Sequence, residues 1–539
     1  MVVVCRTDSA RIAPPPPSPE QVWLDRLDRD TAAVPVNGEA GMALLRRSFL
    51  TDQAYLLAPT EARRAAALAA IDADVRAGID EHQSAEQDLM WRVGCAAAHA
   101  NLNDAPGARR WLAEADAPAT TAPTTNPMVS LGGGFTDAFR IETELLLGDR
   151  SLLDKSELGW LSYTSMVDEL AWGGHPAEAR LVVDRARAVA TMHVKKPAEM
   201  QNPLDERGVV VQDLLTLGDR PAAFKAVAEI AGMTPDESHH RDIIDREIRS
   251  ALEKIALDAL RAGDHEDYLN SRRAAVETLA RPPLWDLDRI PDWCRLCLRA
   301  GDREGFDAFA DAMRREMKSG DSTGIMDVME RAELAGLCWR IGEKDQYKSL
   351  MAGLEANMPG VASRAGRGSD RDRQETAQEY FYLAAAYARA GDKPAVDRNV
   401  SRALAAGKLD DGNLGDGWND VADGYADAGL LDDAMAADAK NPDIQYRSVA
   451  VLIARRLAAA GRVDEAWKLA GSLTPRYRVF AEYALAVEQT RAGRLDDLNA
   501  RADAARTPQE RALIDLAVSQ TLAGKPYAGM LKVYRPNDD

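Results

Sequence analysis

Apolar and polar positions along this chain fall into one repeated phrase: an apolar helical segment, then Ala-Gly-Asp or Ala-Gly-Arg, then a second helical segment. The phrase marks Gly263, Gly301, Gly391, Gly429, Gly461, Gly493 and Gly524. Leu-Gly or Ile-Gly forms stand at Gly148, Gly218 and Gly342, and a Gly-Gly form at Gly174. Gly suits the residue that closes a helix, because that position commonly takes a left-handed conformation that a side chain makes costly. Asn is the next best choice, and Asn103 marks an earlier break of the same kind. Asp or Pro then opens the second segment, as in Asp392-Lys393-Pro394 and His175-Pro176, which suits a helical N-terminus.

Aligned on these breaks, the chain shows columns. Eight positions before the Gly stands a large apolar residue: Ile255, Trp293, Leu334, Leu383, Val421, Ile453, Leu485, Leu516. Seven before stands a small one: Ala256, Cys294, Ala335, Ala384, Ala422, Ala454, Ala486, Ala517. Five after, Ala recurs at Ala108, Ala179, Ala223, Ala434 and Ala466. A bulky knob beside a notch, facing a small residue on the returning helix, is what two close antiparallel helices need. The expected fold class is therefore all-α, antiparallel helical hairpins stacked into an α-solenoid.

The columns resemble the tetratricopeptide family, whose hairpins carry a Leu-Gly pair, an aromatic or Leu, a turn Gly and then an Ala. Leu383-Ala384, Tyr387, Gly391, Val396 and Ala403 follow that order, and Ile453-Ala454, Leu457, Gly461 and Ala466 repeat it. The likeness is good from about residue 380 to 524, looser from 160 to 345 and poor before 90. Ala stands where the family usually has its small Gly, and intervals between breaks reach 44, 45 and 49 residues. Longer helices or inserts must fill that length.

The resulting organisation begins with a Pro-rich tail over residues 1–19 and an N-terminal helical region over 20–115. An irregular linker covers 116–134, divergent hairpins 135–356, a mobile loop 357–373, tetratricopeptide-like repeats 374–530 and a polar tail 531–539.

Composition narrows the function classes. With 86 Asp and Glu against 67 Lys and Arg the net charge is −19, which repels a phosphate backbone, so nucleic acid is not an expected partner. No apolar run reaches the roughly 18 residues that span a bilayer. The chain reads as cytoplasmic; export or lipid anchoring through Met1-Val2-Val3-Val4-Cys5 is the weaker reading, because the apolar run ahead of Cys5 is short.

Candidate chemistry is sparse. Cys294-Arg295-Leu296-Cys297 has redox or metal spacing, yet Cys294 falls in the small column, and Cys297 and Cys338 each stand four before their own turn Gly, so core packing explains them. Asp236-Glu237-Ser238-His239-His240 is the densest set of possible ligands, but adjacent histidines diverge on a helix. Gly132-Gly133-Gly134 and Gly524-Lys525 lack the phosphate-loop pattern. No catalytic residue, metal ligand or cofactor is assigned.

One surface column remains. Arg recurs two residues before the turn at Arg261, Arg299, Arg340, Arg389 and Arg491. In the arrangement that the resemblance implies, this face lines the concave groove, where stacked arginines clamp a carboxylate or acidic peptide. The competing reading is a cation at the carbonyl end of a helix, worth roughly 0.3 to 1 kcal/mol. Trp339, Phe381 and Tyr483 are the expected apolar anchors beside them. The function expected is a non-catalytic scaffold that binds a protein or peptide, with self-association also open. Two alternatives stand beside it: an α/α-toroid enzyme with a carboxylate active site, and a small-ligand sensor signalling to a separate effector.

Overall fold

A computed structural model describes residues 18–35, 46–81, 85–117, 132–194, 203–233, 241–279, 290–319, 325–365, 369–406, 411–442 and 449–524. The described residues form helices joined by turns and no strand. After α1 (Pro19–Ala32), the helices follow in hairpins. The first five are α2 (Arg47–Leu57) with α3 (Glu61–Glu81), α4 (Ala85–Asn101) with α5 (Ala105–Asp116), α6 (Gly132–Leu146) with α7 (Ser151–Lys155), α8 (Trp160–Trp172) with α9 (Pro176–Val194), and α10 (Pro203–Thr216) with α11 (Arg220–Ala231). Four more are α12 (Arg241–Arg261) with α13 (His265–Thr278), α14 (Ile290–Ala300) with α15 (Arg303–Ser319), α16 (Ile325–Arg340) with α17 (Lys344–Ala365), and α18 (Asp370–Arg389) with α19 (Lys393–Ala406). The last are α20 (Asp411–Asp427) with α21 (Leu431–Asp438), α22 (Val449–Ala459) with α23 (Val463–Gly471), and α24 (Pro475–Arg491) with α25 (Leu495–Asp503), before α26 (Pro508–Leu522).

The repeated phrase is the hinge of each hairpin from α4–α5 onward. All eleven glycines that mark it have positive φ, and Asn103 at φ 59 is the one positive-φ residue other than Gly among the described residues. At Gly263 (φ 72) the N–H reaches back to the Leu260 carbonyl and the next N–H, of Asp264, to that of Ala259, which occupies the orphan carbonyls of α12. The Asp side chain then caps the return: Asp264 accepts from the Asp267 N–H, Asp302 from Gly305 and Asp392 from Ala395. One tripeptide thus ends one helix and starts the next.

All sixteen knob and notch residues, from Ile255-Ala256 to Leu516-Ala517, have no exposed surface, and neither have the five alanines of the returning helices. Each buried Leu or Ile contributes roughly 1.5–3 kcal/mol. α18 and α20 approach each other closely at two glycines. A Cβ on Gly424 would lie 2.5 Å from the Ala385 carbonyl oxygen, and one on Gly417 would meet the Phe381 ring at the same distance.

Two expected boundaries differ. α17 continues through Pro359 and Gly360 to Ala365, so most of the loop expected at 357–373 is helix. Leu350, Met351, Leu354 and Met358 form a buried stripe at helical spacing that carries α17 up to the Pro-Gly pair. Gly132–Gly134, placed in the linker, form the first turn of α6. The tail residues 1–17 and 525–539, and the His239-His240 segment, lie outside the described residues.

Even-numbered helices pack on the next even-numbered helix from α4 round to α26, and α26 packs on α2. Odd-numbered helices pack together appreciably only at α7 with α9 and α13 with α15. The closely spaced even helices therefore form the inner layer of a curved array. The array closes on itself: α1 lies along α26 as the second helix of its hairpin, and α2 follows as the next inner helix. Arg26 of α1 reaches Asp515 of α26 at 3.2 Å, and Asn499 and Asp503 of α25 at 3.1 Å each. Gln520 donates to Gln53 at 3.0 Å. Leu27, Val34, Leu50, Ala54, Ala512 and Leu516 form a separate apolar cluster under this junction.

Candidate functional site

The arginine column does not act as a unit. Arg389 is nearly buried and is held by Asp423 at 3.0 Å and Asp427 at 3.3 Å, both on α20; Arg456 on α22 reaches Asp427 at 2.6 Å. Asp427, bound by both Arg389 and Arg456, thus ties three inner helices together. Arg491 pairs with Glu488 one turn back on its own helix at 3.5 Å. Arg261 and Arg299 are exposed at the ends of α12 and α14. Arg340 is exposed at the end of α16 and makes no hydrogen bond or ion pair among the described residues.

The aromatic anchors need correction. Phe381 is fully buried against Trp418, ring centroids 5.8 Å apart, and Tyr483 is fully buried with its hydroxyl donating to Gln520 at 2.5 Å. Both fill the tight joints between successive inner helices, so neither presents a surface. Trp339 is half-buried, edge-on to Tyr347 at 5.0 Å, with the Lys344 ammonium 5.4 Å from its ring centre.

Three expected residues do converge. Trp339, Arg340 and Arg389 line one cavity of about 410 Å3 together with Arg295, Glu333, Leu337 and Asp427. Arg295 is already bound to Glu333 at 2.7 Å and Asp292 at 2.5 Å. Arg340 is therefore the guanidinium there with capacity for an incoming carboxylate, and Trp339 is the apolar wall next to it.

A second cavity, of about 670 Å3, was not foreseen from the sequence. It opens where α2 and α4 draw apart, each packed against α3. Its walls come from five inner helices: Phe49, Asp52 and Gln53 of α2, Gly94 and Asn101 of α4, Phe139 of α6, Asp168, Glu169 and Trp172 of α8, and Thr216 of α10. Behind the wall, Glu142 of α6 is fully buried; its Oε1 accepts from Asn101 at 2.6 Å. Burial, then the adjacent Glu169 carboxyl, pushes Glu142 well above the usual carboxylate range. Burial raises Glu169 as well, although its side chain keeps surface toward the cavity. Asp52 is pushed up to about 6 by burial, opposed by a hydrogen bond from Gln53. Asp213, fully buried next along the inner layer, is raised to about 7, again chiefly by burial.

A signal for this second cavity is visible once its geometry is known. Glu142 and Asp168 stand six residues before their turn Gly, and Glu169 and Asp213 five before, in three consecutive hairpins. Spread over more than 70 residues, one or two acids per hairpin look like ordinary helix surface.

A separate cluster is structural. His99, almost fully buried, contacts Asp72 at 2.9 Å and Asp104 at 2.7 Å through its two ring nitrogens, with Cys95 one turn before it. Trp111 Nε1 and the Arg110 guanidinium also donate to Asp72, at 2.7 and 3.0 Å. A cation and an indole N–H already occupy the carboxylate that a metal would need. Cys95, Cys294, Cys297 and Cys338 are buried free thiols, as core packing requires.

The chain matches no known protein family and no curated protein. Ten chains of solved structures are similar to it, these two among them. One is the crystal structure of the pentatricopeptide repeat protein PPR10 from maize, 12% identical, covering 92% of this chain and 94% of that one at a TM-score of 0.21. The other is a circular tandem repeat protein with novel repeat topology and enhanced subunit contact surfaces, 15% identical over 95% and 93% of the two chains at a TM-score of 0.14. At such TM-scores neither likeness carries an argument, and the fold rests on the chain's own hairpins. The chain is a helical-repeat α-solenoid. No helix among the described residues is long and apolar enough to cross a membrane.

Proposed function

We propose that this solenoid is a binding scaffold that takes a carboxylate-bearing segment of a protein partner at Arg340 and Trp339. The observation that carries the reading is the contrast within one column. Arg389 is consumed by Asp423 and Asp427, whereas Arg340 stands exposed at a cavity with a half-buried indole beside it and no acid bound to it. A planar guanidinium next to an aromatic wall offers bidentate hydrogen bonding and an apolar contact to one peptide side chain or C-terminus. Arg261, Arg299 and Arg491 stand at the same edge of the inner layer.

The toroid-enzyme reading gains something from ring closure and loses more from its acids. Glycoside hydrolysis needs two carboxyl groups roughly 5 Å or more apart, with the reacting bond between them. Glu142 and Glu169 are in hydrogen-bonding reach of each other, and Glu142 has no exposed surface. No bond fits between them.

The test is capture of partners by the full chain against an Arg340→Glu variant, with mass spectrometry and then titration of the recovered partner. Arg389 is left intact, because a Glu there would face Asp423 and Asp427 and loosen the array itself. The expected result is a partner recovered at near-equal amount and bound at least tenfold more weakly by Arg340→Glu. Equal binding to both chains would return Arg340 to a helix-end role.

A further inference from the structure

We propose that the cavity between α2 and α8 binds a small organic cation, its ammonium held by Glu169 and Asp52 and its carbon chain lying against Trp172, Phe49 and Phe139. The claim is independent of the Arg340 site, which lies on other helices and has the opposite charge preference.

The volume of about 670 Å3 is that of a pocket for a small molecule. Its wall has both parts that an ammonium ligand requires. Asp168, Glu169 and Asp52 supply negative charge, and no Lys, Arg or His is among the described residues that line the cavity. Neither Asp52 nor Glu169 pairs with a cation among the described residues. Trp172 is 39% exposed although it lies within the concave side of the array, which is where an indole face can contact an alkylammonium.

An acidic group of this kind would be only a solvated surface were it not for Glu142. That side chain is completely buried, its Oε1 satisfied by Asn101, while its Oε2 accepts nothing from any N–H or O–H of the described residues. It adjoins Glu169, which forms the cavity wall. Held well above the usual carboxylate range, Glu142 keeps its proton, which leaves the negative charge of the pair on Glu169 at the cavity wall. A ligand ammonium, with three N–H donors, placed at Glu169 supplies the positive charge this pair lacks. Gly94 adds no side chain to the wall beside Phe139, whose ring would lie 3.9 Å from a Cβ placed there.

The same ammonium could be carried by a free amine or by a lysine of a protein, and the wall of five helices around a small volume favours the free amine. The test is calorimetric titration of the full chain at neutral pH with three probes: spermidine, 1,8-octanediol as an uncharged chain, and lysine blocked at both ends. Each is repeated with Glu169→Gln, Asp52→Asn, Trp172→Ala and, as a control for the chain's overall negative charge, the surface variant Asp370→Asn. The result expected is one spermidine bound per chain, at least tenfold weaker in the three cavity variants and unchanged in Asp370→Asn, with no heat from the diol. Absence of saturable spermidine binding, or equal binding by Asp52→Asn and Trp172→Ala, would overturn the proposal even if Glu169→Gln failed to fold. Blocked lysine binding more tightly than spermidine would overturn the free-amine assignment and point to a protein's lysine.

Discussion

Arg26 and Asp515 are 489 residues apart in sequence and 3.2 Å apart in space, and their contact is part of the joint that closes the array. Asp515 has no exposed surface, and Arg26 is nearly buried between it, Asn499 and Asp503, with its guanidinium 4.9 Å from the Trp23 ring centre. Breaking a buried hydrogen bond made by a charged group costs about 3 kcal/mol, which is on the order of 100-fold in an opening equilibrium. Arg26→Glu should therefore release α1 from α26. Hydrogen exchange of the α26 amides is expected to accelerate about 100-fold by that arithmetic, with the amides of α18 unaffected. Equal protection of α26 in the variant would mean that the apolar cluster around Leu27 and Leu516 holds the joint without Arg26.

Protonation adds to the same joint. Asp515 is pushed up to about 8, by burial first and then by Asp30, with Arg26 opposing; Arg29 and Arg511 lie on the far side of Asp30. An unfolded Asp titrates near its ordinary value of 3.8, so between about pH 4 and 8 the folded chain binds one more proton than the unfolded chain. The sign follows: Asp515 makes stability fall as pH rises through this window, and the fall ends once pH exceeds the folded value. Asp52, Asp213 and Glu482, all raised by burial, act in the same direction. Asp515→Asn removes one contribution, so the drop in melting temperature from about pH 5.5 to about pH 8.5 should be smaller in the variant than in the parent chain. Identical pH slopes would show that Asp515 is ionised in the folded chain.

How far the sequence could be read depended on whether a feature is local. The turn glycines, Asn103 and the knob and notch columns are set by single hairpins, and each is found in its expected conformation or fully buried. Closure depends on residues at opposite ends of the chain, and no periodicity links Arg26 to Asp515. Phe381 and Tyr483 were legible as inner-layer aromatics but not as buried ones, because their cover comes from Trp418 and Gln520 on the following helices. The Arg column read correctly as a series of helix ends; which member is free was decided by acids on the next helix, Asp423 and Asp427 for Arg389 and none for Arg340. The acidic cavity was hidden for the same reason, since each of five helices gives it only a few residues.

Close packing of the inner layer makes one further outcome computable from geometry. Gly424 lies in the last turn of α20, where Ala is the better helix former by up to roughly 1 kcal/mol, so local propensity favours Gly424→Ala. Packing opposes it: the new Cβ would lie 2.5 Å from the Ala385 carbonyl oxygen and 3.0 Å from the Ala388 Cβ, and the first of these is backbone that no rotamer change can move. α18 and α20 must then separate, and with them the Arg389 contacts to Asp423 and Asp427. Overpacking of this kind costs roughly 1–3 kcal/mol, which matches or exceeds the propensity gain. Urea unfolding should show Gly424→Ala less stable by up to about 2 kcal/mol, while Gly471→Ala, whose Cβ would meet nothing within 4 Å, should be neutral or stabilising. A stabilised Gly424→Ala would mean that the inner helices slide apart at little cost, and the ring would then be a compliant assembly instead of a rigid one.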